Sequence, residues 1–169
     1  YIGMDQANYP ESVFRMRFNW VHDGLGGNNV KSRATRNEIY YNRIEGAYYH
    51  ELELIGADPA CCVEDAARED SDVVGNLIIK KPPPYGPNPD FYAVRVGGDG
   101  TGQSWARYRF VNNTFVMGGI GVFRIFDGLE SIEMHNNVFY RYDGLPVTIT
   151  RTVEAVWKSG VQMSGSNNW

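Results

Sequence analysis

The sequence predicts an all-β chain wound as a right-handed parallel β-helix of about six coils, loop insertions included. Three observations predict it. Five segments repeat around an asparagine, charged and apolar residues hold fixed places relative to that asparagine, and proline and glycine gather in the stretches between.

The repeating segments, in chain order, are "RMRFNWV", "EIYYNRI", "DVVGNLI", "RFVNNTF" and "EMHNNVF", anchored on Asn19, Asn42, Asn76, Asn113 and Asn137. Two residues after each anchor stand Val21, Ile44, Ile78, Phe115 and Phe139, and three before it stand Met16, Ile39, Val73, Phe110 and Met134. All ten are apolar. Four residues before the anchors stand Arg15, Glu38, Asp72, Arg109 and Glu133, all charged. Side chains that alternate between a core and solvent produce this pattern along a strand. The closing "GSNNW" resembles a sixth unit.

A second series lies between the anchors: "NVKSRA", "ELELIG", "AVRVGG" and "VFRIFD". Leu52, Leu54, Val94, Val96, Phe123 and Ile125 are expected inside, with Lys31, Glu53, Arg95 and Arg124 outside. Each unit thus supplies at least two short strands around a bend. Asparagine suits that bend, because its amide bonds neighbours above and below and its backbone accepts left-handed angles. The anchors are therefore expected to be structural.

Anchor spacing runs from 23 residues (Asn19 to Asn42) to 37 (Asn76 to Asn113). The excess falls in "GADPACCVEDAARED", "KKPPPYGPNPD" and "GGDGTGQSW", whose proline and glycine mark loops. Helical periodicity is confined to residues 61–70.

The 169 residues, 43% apolar and 14% aromatic, suffice for one domain with a true core, read as 1–169. The chain begins at Tyr1 without methionine and stops within a repeat, so it reads as a segment of a longer polypeptide. Sixteen basic against twenty acidic residues leave a net charge of −4, which gives no footprint for nucleic acid. No run approaches the roughly 18 apolar residues of a membrane span. Cys61 and Cys62, adjacent, read as free or externally paired thiols in a loop, and a zinc site is not expected.

"NNVKSRATRNEIYYNRI", "VRVGGDG", "RYRFVNNTFV" and "IEMHNNVFYR" resemble segments of bacterial right-handed parallel β-helix repeat proteins of the pectin-lyase-like superfamily, along essentially the whole chain. Locally, the Lys-Ser at Lys31 followed by an Asn-rich coil is similar to the chondroitinase-B and alginate lyase group. That resemblance implies Lys31 as the base that removes the proton beside a uronate carboxylate, and a cation, commonly calcium, that neutralises the carboxylate. The arginine of that group's Leu-x-Leu-Arg stretch is Ile55 here, and Gly27, Asn28 and Asn29 stand where acidic ligands would precede the lysine. A polygalacturonase-like site would need clustered aspartates and Gly-His-Gly, and the sequence has neither an Asp-Asp pair nor that tripeptide.

The outward set Lys31, Glu53, Arg95 and Arg124 would stack on one face and meet the carboxylates or sulfates of an acidic polysaccharide; the alternative is a solvated, ion-paired face. His22 with Asp23 and His50 with Glu51 are candidate acid-base pairs, and Trp105 and Tyr108 candidate sugar-stacking surfaces. The glycine-rich "VGGDGTGQSW" opens no helix, so it reads as a turn or groove wall and not a phosphate cradle. These residues, taken with the resemblance, lead to the expectation of a secreted or surface-exposed β-helix domain that recognises an acidic polysaccharide, to which the lyase resemblance adds cleavage by β-elimination from Lys31. A noncatalytic structural, adhesive or glycan-binding module is the alternative.

Overall fold

The computed structural model describes residues 6, 8–56, 69–82, 92–98, 104–119, 121–126, 128–152, 157, 159–160 and 162–169. Cys61 and Cys62, and most of each predicted loop, lie outside those residues, as does most of the 61–70 segment. Among the described residues there is no helix, and every strand pairing is parallel.

Successive strands enter three sheets in rotation, so the chain winds as a right-handed parallel β-helix. The first sheet stacks β1 (Val13–Arg17), β4 (Arg36–Tyr40), β7 (Asp70–Val74), β10 (Ala106–Val111), β13 (Leu129–His135) and β16 (Met163–Ser166). The second stacks β2 (Trp20–His22), β5 (Arg43–Glu45), β8 (Leu77–Lys80), β11 (Thr114–Met117) and β14 (Val138–Arg141). The third, which carries the candidate site, stacks β3 (Val30–Ser32), β6 (Leu52–Ile55), β9 (Tyr92–Gly97), β12 (Gly121–Ile125) and β15 (Thr148–Thr152). At the usual strand separation of about 4.8 Å, five to six coils make a rod roughly 25–30 Å long.

The repeat seen in the sequence is the register of the sheets. Met16 pairs with Ile39, Ile39 with Val73, Val73 with Phe110 and Phe110 with Met134. The row Val21, Ile44, Ile78, Phe115 and Phe139 is equally in step. Ile39, Ile44, Val73, Ile78, Phe110 and Phe115 are fully buried, joined by Leu52, Leu54, Val94, Val96, Phe123 and Ile125 from the third sheet. Phe123 sits at the centre, with ring centroids of Phe110 and Phe115 at 4.6 and 5.3 Å.

The anchors form one continuous ladder. Asn42 Oδ1 accepts from the backbone N and Nδ2 of Asn19, at 3.0 and 3.1 Å, and the same pair of bonds joins Asn42 to Asn76, Asn76 to Asn113, Asn113 to Asn137 and Asn137 to Asn168. The second Nδ2 hydrogen caps a strand carbonyl, as from Asn76 to Ile39 at 2.8 Å. Asn168 is thus the sixth rung, in the "GSNNW" unit. The residue before each inner anchor turns the corner in the left-handed region, with φ 56° at Tyr41, 69° at Gly75, 56° at Asn112 and 55° at Asn136.

The charged row Arg15, Glu38, Asp72, Arg109 and Glu133 is also in register on the outer face of the first sheet. Arg15 meets Glu38 at 2.8 Å, and Arg36 and Arg109 converge on Asp72. Opposite signs one rung apart pair with one another, and Arg36 bridges the adjacent carboxylates Glu38 and Asp72, each exposed pair contributing about 0–1 kcal/mol.

Candidate functional site

The third sheet holds Lys31, Glu53, Arg95 and Arg124 on one line. Lys31 pairs with Glu53, Glu53 with Arg95 and Arg95 with Arg124, and the line continues to Arg151 on β15. Five consecutive coils thus place a charged side chain at one outward position. The last three are arginines one rung apart, with no carboxylate between them in the row.

This row is recessed from Lys31 to Arg124 and opens to solvent at Arg151. Ala93 and Val122, on the outward side by strand alternation, are fully buried, and the Lys31 and Arg95 side chains are only 23% and 15% exposed. In sequence, residues 57–68 and 99–103 follow strands of this sheet, and residues 83–91 precede β9. Their bases are stitched together: Gly56 N donates to Gly97 O at 3.1 Å, and Glu69 N to Ser104 O at 3.0 Å. Gly97 needs its glycine, with φ 108° and a Cβ that would lie 2.6 Å from Phe126 O.

Glu53 organises the closed end of the row. Its buried carboxylate receives Lys31 Nζ and Arg95 Nη1, each at 2.9 Å, together with Asn28 Nδ2, and His50 Nδ1 stands at 3.5 Å. Burial alone would raise its pKa; the hydrogen bonds from His50 and Lys31 and the charge of Arg95 overcome burial and hold it at about 2. Glu53, expected as a ligand contact, therefore serves as the counterion that positions two cations. Lys31 is fixed as one partner of an ion pair and not presented alone, as a base would be.

The arginines beyond are held by rings. The guanidinium carbons of Arg95 and Arg124 lie 4.3 and 4.9 Å from the Phe126 centroid, and that of Arg151 lies 6.0 Å from Tyr92. Such stacking restrains the guanidinium planes, while Arg95 spends Nη1 on Glu53 and Nη2 on Gly98 O. Gly121 makes room for this arrangement, since a Cβ there would lie 2.6 Å from the Tyr92 ring.

Two expectations are corrected. Trp105 is 7% exposed and Tyr108 fully buried, its hydroxyl 3.3 Å from Leu54 O and from Glu69, so neither offers a ring face to a sugar. His50 is not coupled to Glu51: His50 faces Asn28 and Glu53, whereas Glu51 turns inward to Asn29 Nδ2 at 2.7 Å and Ala47 N at 2.9 Å. His22 and Asp23 do meet, at 3.0 Å, but on the second sheet, where Lys81 takes the other oxygen of Asp23. That places them apart from the cation row.

Sequence reasoning missed Arg151, because "TITRT" carries threonine where the other coils carry apolar inward residues. It also missed the pair of loops beside Lys31. Gly24, Gly26, Gly27, Asn28, Lys31 and Tyr49 line a depression of about 470 Å³. The loops are laced by Tyr48 N to Gly24 O at 3.1 Å, Tyr49 N to Gly27 O at 2.9 Å and Asn29 N to His50 O at 3.1 Å.

The calcium implied by the lyase resemblance does not fit these residues. Calcium takes about six to eight oxygens, and Glu53, the carboxylate nearest Lys31, has its oxygens occupied by cationic and amide donors. The described residues contain no group of three His, Cys, Asp or Glu able to hold a metal. They also contain no helix long and apolar enough to cross a membrane. No family model, curated protein or solved structure matches the chain.

Proposed function

We propose that this chain is an extracytoplasmic, pectin-lyase-like β-helix module that recognises an acidic polysaccharide. The observation that carries the reading is the line Lys31, Arg95, Arg124 and Arg151, recessed at Lys31 and Arg95 and exposed at Arg151, with its repeat of about one cation per coil where Glu53 does not intervene. A polyanion laid along the rod axis meets a cation at each of the three consecutive rungs of Arg95, Arg124 and Arg151, and the ring-held guanidiniums suit carboxylate or sulfate.

Whether recognition is followed by β-elimination turns on Lys31. Removal of the proton beside a uronate carboxylate needs a base that can approach that proton, and Lys31 Nζ is already engaged by Glu53 at 2.9 Å. This contact favours the second reading, a noncatalytic glycan-binding module, over cleavage.

Calorimetric titration with alginate, pectate and a sulfated glycosaminoglycan, against neutral dextran, tests the proposal. Binding is expected for at least one acidic polymer and not for dextran, weakening with salt and falling at least tenfold in the Arg124→Ala Arg151→Ala variant. Failure of all three acidic polymers to bind, or undiminished binding by the double variant, overturns it. Absorbance of unsaturated product, with and without calcium, decides between cleavage and binding alone.

A further inference from the structure

The depression beside Lys31 belongs to no row of the repeat. It opens where the Gly24–Asn29 loop faces the Gly46–Glu51 loop, and its lining combines one ammonium, one amide, one phenol ring and the backbone of three glycines. Its volume of about 470 Å³ lies within the range of small-molecule sites, about 300–1,000 Å³.

The walls are held independently of any ligand. Besides the backbone bonds that lace the loops, Asn28 Oδ1 accepts from His50 N at 3.0 Å, and Asn29 Nδ2 donates to Glu45 O at 2.8 Å. Lys80 Nζ, buried, donates to the carbonyls of Ala47 and Tyr49. Tyr49 is therefore fixed at both its N–H and its C=O, while the residue remains 36% exposed. Tyr48 braces the ring edge-on, with centroids 4.9 Å apart and planes at 79°. A braced, half-exposed ring beside open glycine backbone and a cation is the lining a pyranose requires: an apolar face for its C–H bonds, backbone groups for its hydroxyls and a charge for its carboxylate.

We propose that this depression is a subsite for one uronate residue, in which Tyr49 stacks on the pyranose ring and Lys31, held by Glu53, meets the carboxylate. The inference rests on the polysaccharide reading of the cation row and adds a place where a single sugar is gripped by shape. Tyr49 and the Gly26–Gly27 backbone select the sugar ring, whereas the arginines respond to charge.

Gly26, in the lining, supplies a substitution whose Cβ enters open space and whose bulk fills the depression. A Cβ at Gly26 meets nothing within 4 Å, and the position lies outside the left-handed region. Calorimetry with a tri-uronate probe is expected to show a fivefold to tenfold loss of affinity for Tyr49→Ala, near-native affinity for Tyr49→Phe, and at least a tenfold loss for Gly26→Leu. Unchanged urea midpoints would confirm that the folds are intact. If Tyr49→Ala and Gly26→Leu both bind the trimer like the unaltered protein while Arg124→Ala Arg151→Ala does not, the subsite is refuted and the polysaccharide reading stands. If the unaltered protein binds neither the trimer nor any acidic polymer, both fall together.

Discussion

Replacing Glu53 by glutamine tests how the site is held. The substitution keeps the shape and removes the charge that faces Lys31 and Arg95 at 2.9 Å. An NH2 then points either at those two cations or at Asn28 and His50, donor against donor. Removing one partner of a buried ion pair costs about 3–5 kcal/mol. Lys31 and Arg95 keep 23% and 15% of their side-chain surface in water, which places the loss near the lower end, about 3 kcal/mol at neutral pH. Because the Glu53 carboxyl is held at about 2 in the fold, its contribution is present above the unfolded value of 4.5 and is lost as pH falls through the folded one. Urea unfolding of both proteins, followed by circular dichroism from neutral pH downward, should show the Glu53→Gln deficit shrinking between about pH 4.5 and pH 2. A deficit below about 1 kcal/mol, or one independent of pH, would refute the role of Glu53 as counterion.

Three further outcomes are expected. Asn76→Ala strands the backbone N–H of Asn42 and takes a donor from Ile39 O, a loss of about 2–6 kcal/mol in urea unfolding, whereas Asn19→Ala at the exposed end of the ladder costs about 1 kcal/mol or less. Equal losses at the two positions would show that the ladder does not act through buried bonds. Glu51, whose pKa burial pushes up to about 7 against the nearby charge of Lys80, keeps its proton in the fold at pH values where the unfolded chain has lost it. Stability attributable to Glu51 therefore falls as pH rises from about 4.5 to 7, and Glu51→Gln should flatten that part of the unfolding profile. Gly97→Ala forces a methyl against Phe126 O at a left-handed φ and should lower the thermal midpoint by several degrees; an unchanged midpoint would show that the backbone shifts freely there.

The coil was legible because its residues obey a local rule repeated five times. Asn19, Asn42, Asn76, Asn113 and Asn137 could be aligned without knowing any distance, and alternation about them fixed inside and outside. The cation row followed from the same counting as far as Arg124. What counting misses is chemistry set by burial. Glu51 read as a partner of His50, and Glu69 and Lys80 as loop charges, yet all three are buried, turned inward to meet Ala47 N, the Asn37 amide and the Ala47 carbonyl respectively. Trp105 and Tyr108 misled for the converse reason: a large ring beside a glycine-rich loop looks exposed in sequence, and here it fills the wall. Tyr49 gave no signal, since its partners Gly24 to Asn29 lie some twenty residues away and meet it only after one full turn.

The asparagine ladder has a consequence for how such a rod can diversify. Its bonds count turns and not residues: they join Asn76 to Asn113 across 37 positions with the same 3.0 Å geometry that joins Asn113 to Asn137 across 24. One edge of the molecule acts as a ruler, indifferent to how much chain is spent between its marks. The chain between rungs can therefore be lengthened, shortened or exchanged as cassettes while each strand still returns to its place.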